Sequence, residues 1–483
     1  MKVLTAQWAH GAEWALPGPS GAPARQARMR SARGFCRVGG VIERTIRLEV
    51  WLPAPDLWNG RLLGAGVGGS AGTLNYSGMT DGVERGFAAA STDTGHTLAE
   101  KDWMLDPRAA RNYADRGVHL MTVAAKAVIA RFYGRPARFA YFEGCSGGGR
   151  EAMKEMEEYP RDYNGVLAGA PGVNMPLLSV RHMLVGLWQQ DAPEKLTSAD
   201  WQLMTHRAVA ACDAIDGIKD GVLENPRRCQ VPWQSLSCRP GHSSGCLSAP
   251  KLALMQKISR PIVTAHGTVV DTGLLPGVTA RPGPPPPLLM QLFGQGVHHD
   301  PRWDAQAFDP DRDLAAVYRL YPHFRADDTD LQPFRSAGGK AIIYQGWMDP
   351  SVIAMSTVSY YEAVARAMGG PEATDRFVRL FVVPGMFHCG RGPGCDRFGG
   401  EAGRVQDDAS HDALRALIRW VERGEAPKEL IASRVKGSRV VRTRLLCPYP
   451  QEERYRGSGS TESASSFYCA MPLPLAAAEG VRR

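Results

Sequence analysis

The pentapeptide Gly144-Cys145-Ser146-Gly147-Gly148 has the form G-x-S-x-G and stands between an apolar run and a stretch with helical spacing. A nucleophile elbow requires that context: a tight turn lifts a serine hydroxyl above a sheet while small neighbours let the backbones approach. Because a serine hydroxyl is a poor nucleophile at neutral pH, the motif calls for a downstream acid followed by a histidine. Asp349 in GWMDP and His388 in GMFHCG stand in that order, each just beyond a run that reads as a strand. The C-terminal ends of parallel strands are where such sheets gather reacting groups. The chemistry expected is attack on an ester carbonyl, with Ser146 as nucleophile, His388 as base and Asp349 as orienting acid. The plainer alternatives are a structural glycine turn at Ser146, a helix cap at Asp349 before the next helix, and an ordinary loop histidine at His388. His96, in TDTGH, is a rival base, but it precedes the serine and reads as scaffold near the site.

Ester cleavage also needs donors for the developing oxyanion. Gly147, the residue after the nucleophile, supplies one backbone N–H, and a glycine loop after an early strand supplies the other. GAGVGGSAG (64–72) is that loop, with Gly68 or Gly69 as the donor; the alternative is a flexible turn with no such role. Cys145 precedes the candidate nucleophile and Cys389 follows the candidate base, so a bond between them would tie the two loops together. The alternative is two buried free thiols.

A further cluster lies in CDAIDGIKDGVLENPRRC (212–229), where Asp213, Asp216 and Asp220 alternate with Gly217 and Gly221. Carboxylates brought together repel unless a cation neutralises them, and calcium accepts carboxylates with backbone carbonyls, here those of Ile218 and Val222. The spacing is not that of an EF-hand, and the alternative is a solvated acidic turn. No organic cofactor is expected.

The elements that must position these groups alternate as in a parallel α/β sheet. Strands are expected at 44–53, 60–66, 87–96, 137–144, 164–172, 340–346 and 376–385, with helices over 112–133, around 354–368 and over 412–424. Between about 175 and 335 the pattern degrades into Trp-rich helical pieces, four cysteines and the Pro-rich RPGPPPPLL (281–289). The expected organisation is an α/β-hydrolase core in two parts, 1–174 and 336–483, with a large lid domain inserted at 175–335.

A chain of 483 residues with 44% hydrophobic content can bury a large core. The net charge of +8 is spread among acids without a basic stripe, which argues against a nucleic-acid partner. No apolar run approaches the roughly 18 residues of a membrane span. Ten cysteines favour an oxidising compartment, secreted or periplasmic, although the opening MKVLTAQWAHGAEWALPG shows no apolar signal core. Oligomeric state is not legible.

Over residues 34–470 the segments GVGGSAG, STDTGH, GCSGGGRE, CDAIDGIKDG, GWMDP, VPGMFHC, WVERGEAP and RTRLLCPYP resemble the tannase and feruloyl esterase family. The resemblance implies the Ser146, His388 and Asp349 triad, the Cys145–Cys389 bond and a lid that binds calcium through the Asp-rich turn. It also implies the pairs Cys212–Cys229, Cys238–Cys246 and Cys447–Cys469, which leaves Cys36 and Cys395 over. The expected substrate is a small ester of an aromatic acid, feruloyl-like or galloyl-like, cleaved through an acyl-enzyme. Alternatives are a terephthalate-monoester hydrolase, an acyltransferase with the same triad, and an inactive binding protein on a hydrolase scaffold.

Overall fold

The computed structural model describes residues 1–9, 34–280 and 282–472, together with the backbone of two short paired strands, Glu13–Leu16 and Arg25–Arg28. Residues 10–12 and 17–18 of the opening stretch, and Arg281 of the Pro-rich run, lie outside the described residues.

Apolar runs, unbroken in the parallel strands and giving way to the mostly exposed Lys2–Ala9 at one edge, build a nine-stranded sheet. Its strands are β1 (Lys2–Ala9), β2 (Phe35–Ile42), β3 (Ile46–Pro53), β4 (Arg61–Ala65), β5 (Ala88–Thr92), β6 (Phe139–Cys145), β7 (Gly165–Gly169), β8 (Lys340–Gly346) and β9 (Val378–Val383). The spatial order is β1-β2-β3-β5-β4-β6-β7-β8-β9. The β1-β2-β3-β5 edge is antiparallel, and from β5 to β9 every neighbouring pair is parallel. Alternation along each strand sends neighbours to opposite faces. Val166 and Ile343 pack with helices α2 (Gly117–Tyr133) and α3 (Gly147–Glu157). Leu167 and Ile342 pack instead under Leu414 and Leu417 of a C-terminal helix, Ala413–Arg423. This doubly covered, mostly parallel sheet is an α/β-hydrolase fold.

Although β7 and β8 are adjacent, the chain between them runs from 170 to 339 and leaves the sheet. It opens with α4 (Met175–Asp191), held by a cap in which Asn174 accepts from the N–H of Leu177. Much of this segment shares a separate cluster built on Trp201, Met255, Phe293 and Val317, and it contains the Cys212–Cys229 and Cys238–Cys246 bonds. After β9 the chain adds two hairpins that sequence periodicity did not reveal: Leu430–Lys436 with Arg439–Leu446, and Glu452–Tyr455 with Phe467–Ala470. Cys447–Cys469 staples the second, while Cys36 and Cys395 remain unpaired thiols.

The expected strand over 87–96 is too long. It stops at Thr92 because Asp93 Oδ1 accepts the N–H groups of Gly95 and Arg47, and Thr94 and Gly95 turn left-handed at φ 62° and 96°. The turn aims His96 away from the sheet.

On the face opposite α2, Arg85 joins the end of α1 (Tyr76–Glu84) to the start of the helix Ala413–Arg423. Its guanidinium lies 2.9 Å from Asp412, a fully buried N-cap that also accepts from the N–H of Arg415. Removing one partner of a buried pair leaves an uncompensated charge. Arg85→Met is therefore expected to destabilise the fold by about 3 kcal/mol in urea unfolding. A loss below about 0.5 kcal/mol would mean that Arg404, whose Nε lies 3.7 Å from Asp412 Oδ2, compensates that carboxylate without Arg85.

Candidate active site

Strand β6 delivers the chain to Ser146, which adopts φ 62° and ψ −118° before α3 begins at Gly147. A non-glycine residue persists there only because its surroundings over-determine the conformation. Ser146 N–H donates to Gly169 O at 2.9 Å, and Ser146 O accepts from Arg150 N–H at 2.9 Å. The flanking glycines make the turn possible: a Cβ on Gly144 would sit 2.5 Å from Gly148 O, and one on Gly148 3.0 Å from Gly66. Among the described residues Ser146 Oγ makes no hydrogen bond within the chain.

Asp349 follows β8 and is fully buried. Its Oδ1 accepts from the N–H of Ser351 at 2.8 Å and of Val352 at 2.9 Å, while its Oδ2 accepts from His388 Nδ1 at 2.8 Å. One carboxylate thus both caps the turn that follows it and accepts from His388. Sequence reasoning missed Gln345, a buried amide near the end of β8 that donates to Asp349 Oδ2 and to Val352 O, both at 3.1 Å. The signal was present in KAIIYQG, where an amide interrupts an apolar strand four residues before the acid.

His388 follows β9. Burial lowers its proton affinity, but the hydrogen bond and charge of Asp349, with a contribution from Glu401, outweigh burial and raise its pKa above the usual histidine value. Nδ1 is occupied by Asp349, so Nε2 is the nitrogen left to exchange a proton. Cys145 and Cys389 are bonded, with Cα atoms 6.0 Å apart across 244 residues of sequence, so the neighbours of Ser146 and His388 are covalently joined.

The glycine loop lies against the elbow. A Cβ on Gly147 would meet Gly69 N and O at 2.9 Å, and one on Gly68 would stand 3.7 Å from Cys145 O. Three groups hold the loop in place: Glu151 accepts from Val67 N–H at 2.9 Å, Tyr113 donates to Gly69 O at 3.0 Å, and His96 Nε2 donates to Ser70 O at 2.8 Å. Burial lowers His96 to about 4, and its ring stacks on Trp103 at 4.0 Å. His96 is therefore a neutral scaffold group.

At the acidic turn, Asp216, Ile218, Asp220 and Val222 line one cavity of about 20 Å³ with Glu224 and Glu453. Burial, reinforced by Asp220 and Asp213, raises Asp216 to about 6. The carboxylates and carbonyls here are donors of the kind calcium takes, and Arg442 and Arg444 bring positive charge into the same cavity. Asp213 stands outside the cavity, its carboxylate taken up by the N–H groups of Asp220 and Gly221. Asp220 already pairs with Arg442 and Arg444, and among the described residues no three acidic, His or Cys side chains converge on one point.

Fold and site together define a carboxylic ester hydrolase of the α/β-hydrolase class. The chain belongs to the tannase and feruloyl esterase family, whose sequence model matches residues 31–274 and 294–470. It is 32% identical over 453 residues to a probable feruloyl esterase B-2 of Aspergillus terreus, across 90% of this chain and 86% of that one. Identity to the mono(2-hydroxyethyl) terephthalate hydrolase of Piscinibacter sakaiensis is also 32%, over 90% of this chain and 85% of that one. The crystal structure of feruloyl esterase B from Aspergillus oryzae superposes with a TM-score of 0.90 at 27% identity, covering 97% of this chain and 96% of that one.

The bond between Cys145 and Cys389 constrains a long loop, worth roughly 5 kcal/mol in the chain-entropy model. Replacing both cysteines by serine is expected to lower the melting temperature and to reduce kcat more than it raises KM, because the elbow and His388 lose register. Steady-state kinetics alongside thermal melts separate this from a bridge that only stabilises, which would lower Tm and leave kcat unchanged.

Proposed function

We propose that this esterase cleaves esters of aromatic acids through a serine acyl-enzyme. The observation that carries the reading is the Asp349–His388 hydrogen bond, with the residue after His388 bonded to the residue before Ser146. In the proposed reaction His388 Nε2 takes the proton from Ser146 Oγ as that oxygen attacks the ester carbonyl. The N–H groups of Gly147 and of Gly68 or Gly69 stabilise the tetrahedral oxyanion. His388 returns the proton to the leaving alcohol, and water then releases the acid. Asp349 holds the imidazole in the required tautomer. The names of the relatives support an aromatic acyl group, feruloyl-like or galloyl-like, and the segment 175–335 serves as the lid that shapes its pocket. Four disulfides suit a secreted or periplasmic protein.

Ser146→Ala is expected to lower kcat by about a thousandfold or more with melting unchanged; retention of more than about a tenth of wild-type kcat rejects the nucleophile. The base must be neutral to act, so a raised His388 pKa places the acidic fall of kcat/KM above the usual histidine value. Asp349→Asn, which removes the raising charge, should move that limb to lower pH. A panel of feruloyl, galloyl, terephthaloyl and short aliphatic esters, with and without an added alcohol, ranks substrates and exposes acyl transfer. Preference for the aliphatic esters would refute the aromatic assignment.

We also propose that calcium sits at the acidic turn, held by Asp216, Asp220 and the carbonyls of Ile218 and Val222, with Asp213 bracing the turn. Its role is structural. Binding to the native state raises stability by linkage, so chelation should lower Tm without altering the chemistry at Ser146. Metal analysis finding no calcium, together with a Tm indifferent to chelator, would sink the site.

A further inference from the structure

Helix α4 opens the segment inserted between β7 and β8, and it carries His182 at its middle. His182 Nε2 lies 2.8 Å from the carbonyl oxygen of Ser351. A carbonyl only accepts, so the imidazole donates there. Burial, together with the positive charges of Arg181 and His388, lowers its pKa below the usual value, so it carries that proton as a neutral ring.

The carbonyl of Ser351 and the N–H of Val352 belong to one peptide unit, which is planar and turns as a rigid body. The N–H of that unit donates to Asp349 Oδ1 at 2.9 Å. A donor on the oxygen of a peptide unit therefore fixes where its N–H points, and it polarises that N–H as a chain of hydrogen bonds does. The connected path is His182 Nε2–H donating to Ser351 O, Val352 N–H donating to Asp349 Oδ1, and His388 Nδ1–H donating to Asp349 Oδ2. Gln345 grips the same loop from the sheet side.

We propose that His182 is a positioning residue: by holding the Ser351–Val352 peptide plane it orients Asp349, and so couples the packing of the inserted segment to the histidine of the site. The proposal rests on the triad reading above. The charges that act on His182 are those of Arg181, which is paired to Asp271 at 2.6 Å, of Asp349 and of His388.

The test compares wild type, His182→Ala, His182→Gln and Asp349→Asn on one chromogenic ester, with full pH profiles and melts. His182→Ala is expected to lower kcat about tenfold with KM changed by less than about twofold, because a slightly misplaced acid misaligns the base. Its acidic limb of kcat/KM should move to lower pH, as Asp349 holds His388 less firmly. The Gln side chain donates at a similar reach, so His182→Gln should restore kcat to within about threefold of wild type. If His182→Ala does not fold, His182→Met, of similar bulk and without a donor, takes its place. Wild-type kcat and pH limb in the donorless variant overturn the proposal. Equal impairment of the donorless and Gln variants, with lowered Tm, also overturns it by showing a packing role. Wild-type activity in Asp349→Asn would instead bring down the triad reading and this one with it.

Discussion

One sulfur–sulfur bond ties the turn that carries Ser146 to the loop that carries His388, two points 244 residues apart in sequence. The parallel sheet brings β6 and β9 within reach of each other but does not set the angle at which their loops leave it. Loops at the edge of a sheet retain freedom of their own. The bond removes much of that freedom at the residues next to Ser146 and His388. It acts where Ser146 already holds a positive φ, so two constraints of different kind meet on one turn. Reactive geometry requires tolerances of a fraction of an ångström, which is why rigid support matters more here than added contacts.

Asp349 shows how completely a buried carboxylate can be supplied with hydrogen-bond donors. Its two oxygens receive two backbone N–H groups, an amide and an imidazole, so no lone pair of the buried group is left without a donor nearby. The glycine loop follows a similar plan. Glu151, Tyr113 and His96 come from different elements and each takes one backbone group of the loop, leaving the peptide units around Gly68 facing the elbow without side chains between them.

The acidic turn depends on opposite signs meeting across the molecule. Asp220 of the inserted segment pairs with Arg442 and Arg444 of a C-terminal hairpin, while Asp216 and Glu224 remain crowded by other acids. These ion pairs and His182 against the Asp349 loop are among the contacts that fasten the inserted segment to the sheet domain.

Much of the site was legible in the sequence because its grammar is local. G-x-S-x-G after an apolar run, an acid after one strand and a histidine after the next are consequences of how a parallel sheet presents its C-terminal edge, and each requirement falls on a few consecutive residues. The strands at Lys340–Gly346 and Val378–Val383 were evident for the same reason: burial on both faces demands an unbroken apolar run. The end of the strand at Thr92 was not evident, since it depends on Asp93 reaching Gly95 and Arg47. The roles of Gln345 and His182 were equally hidden. An amide in a strand and a histidine on a helix acquire meaning only from the carbonyl or carboxylate that folding sets opposite them, and hydrogen bonds between distant segments leave no periodicity in the chain. Sequence by itself determined which serine, acid and histidine make up the candidate site and in what order they come. Tertiary structure alone decided which lone pairs and protons face one another, because those directions arise from packing elements that lie up to hundreds of residues apart.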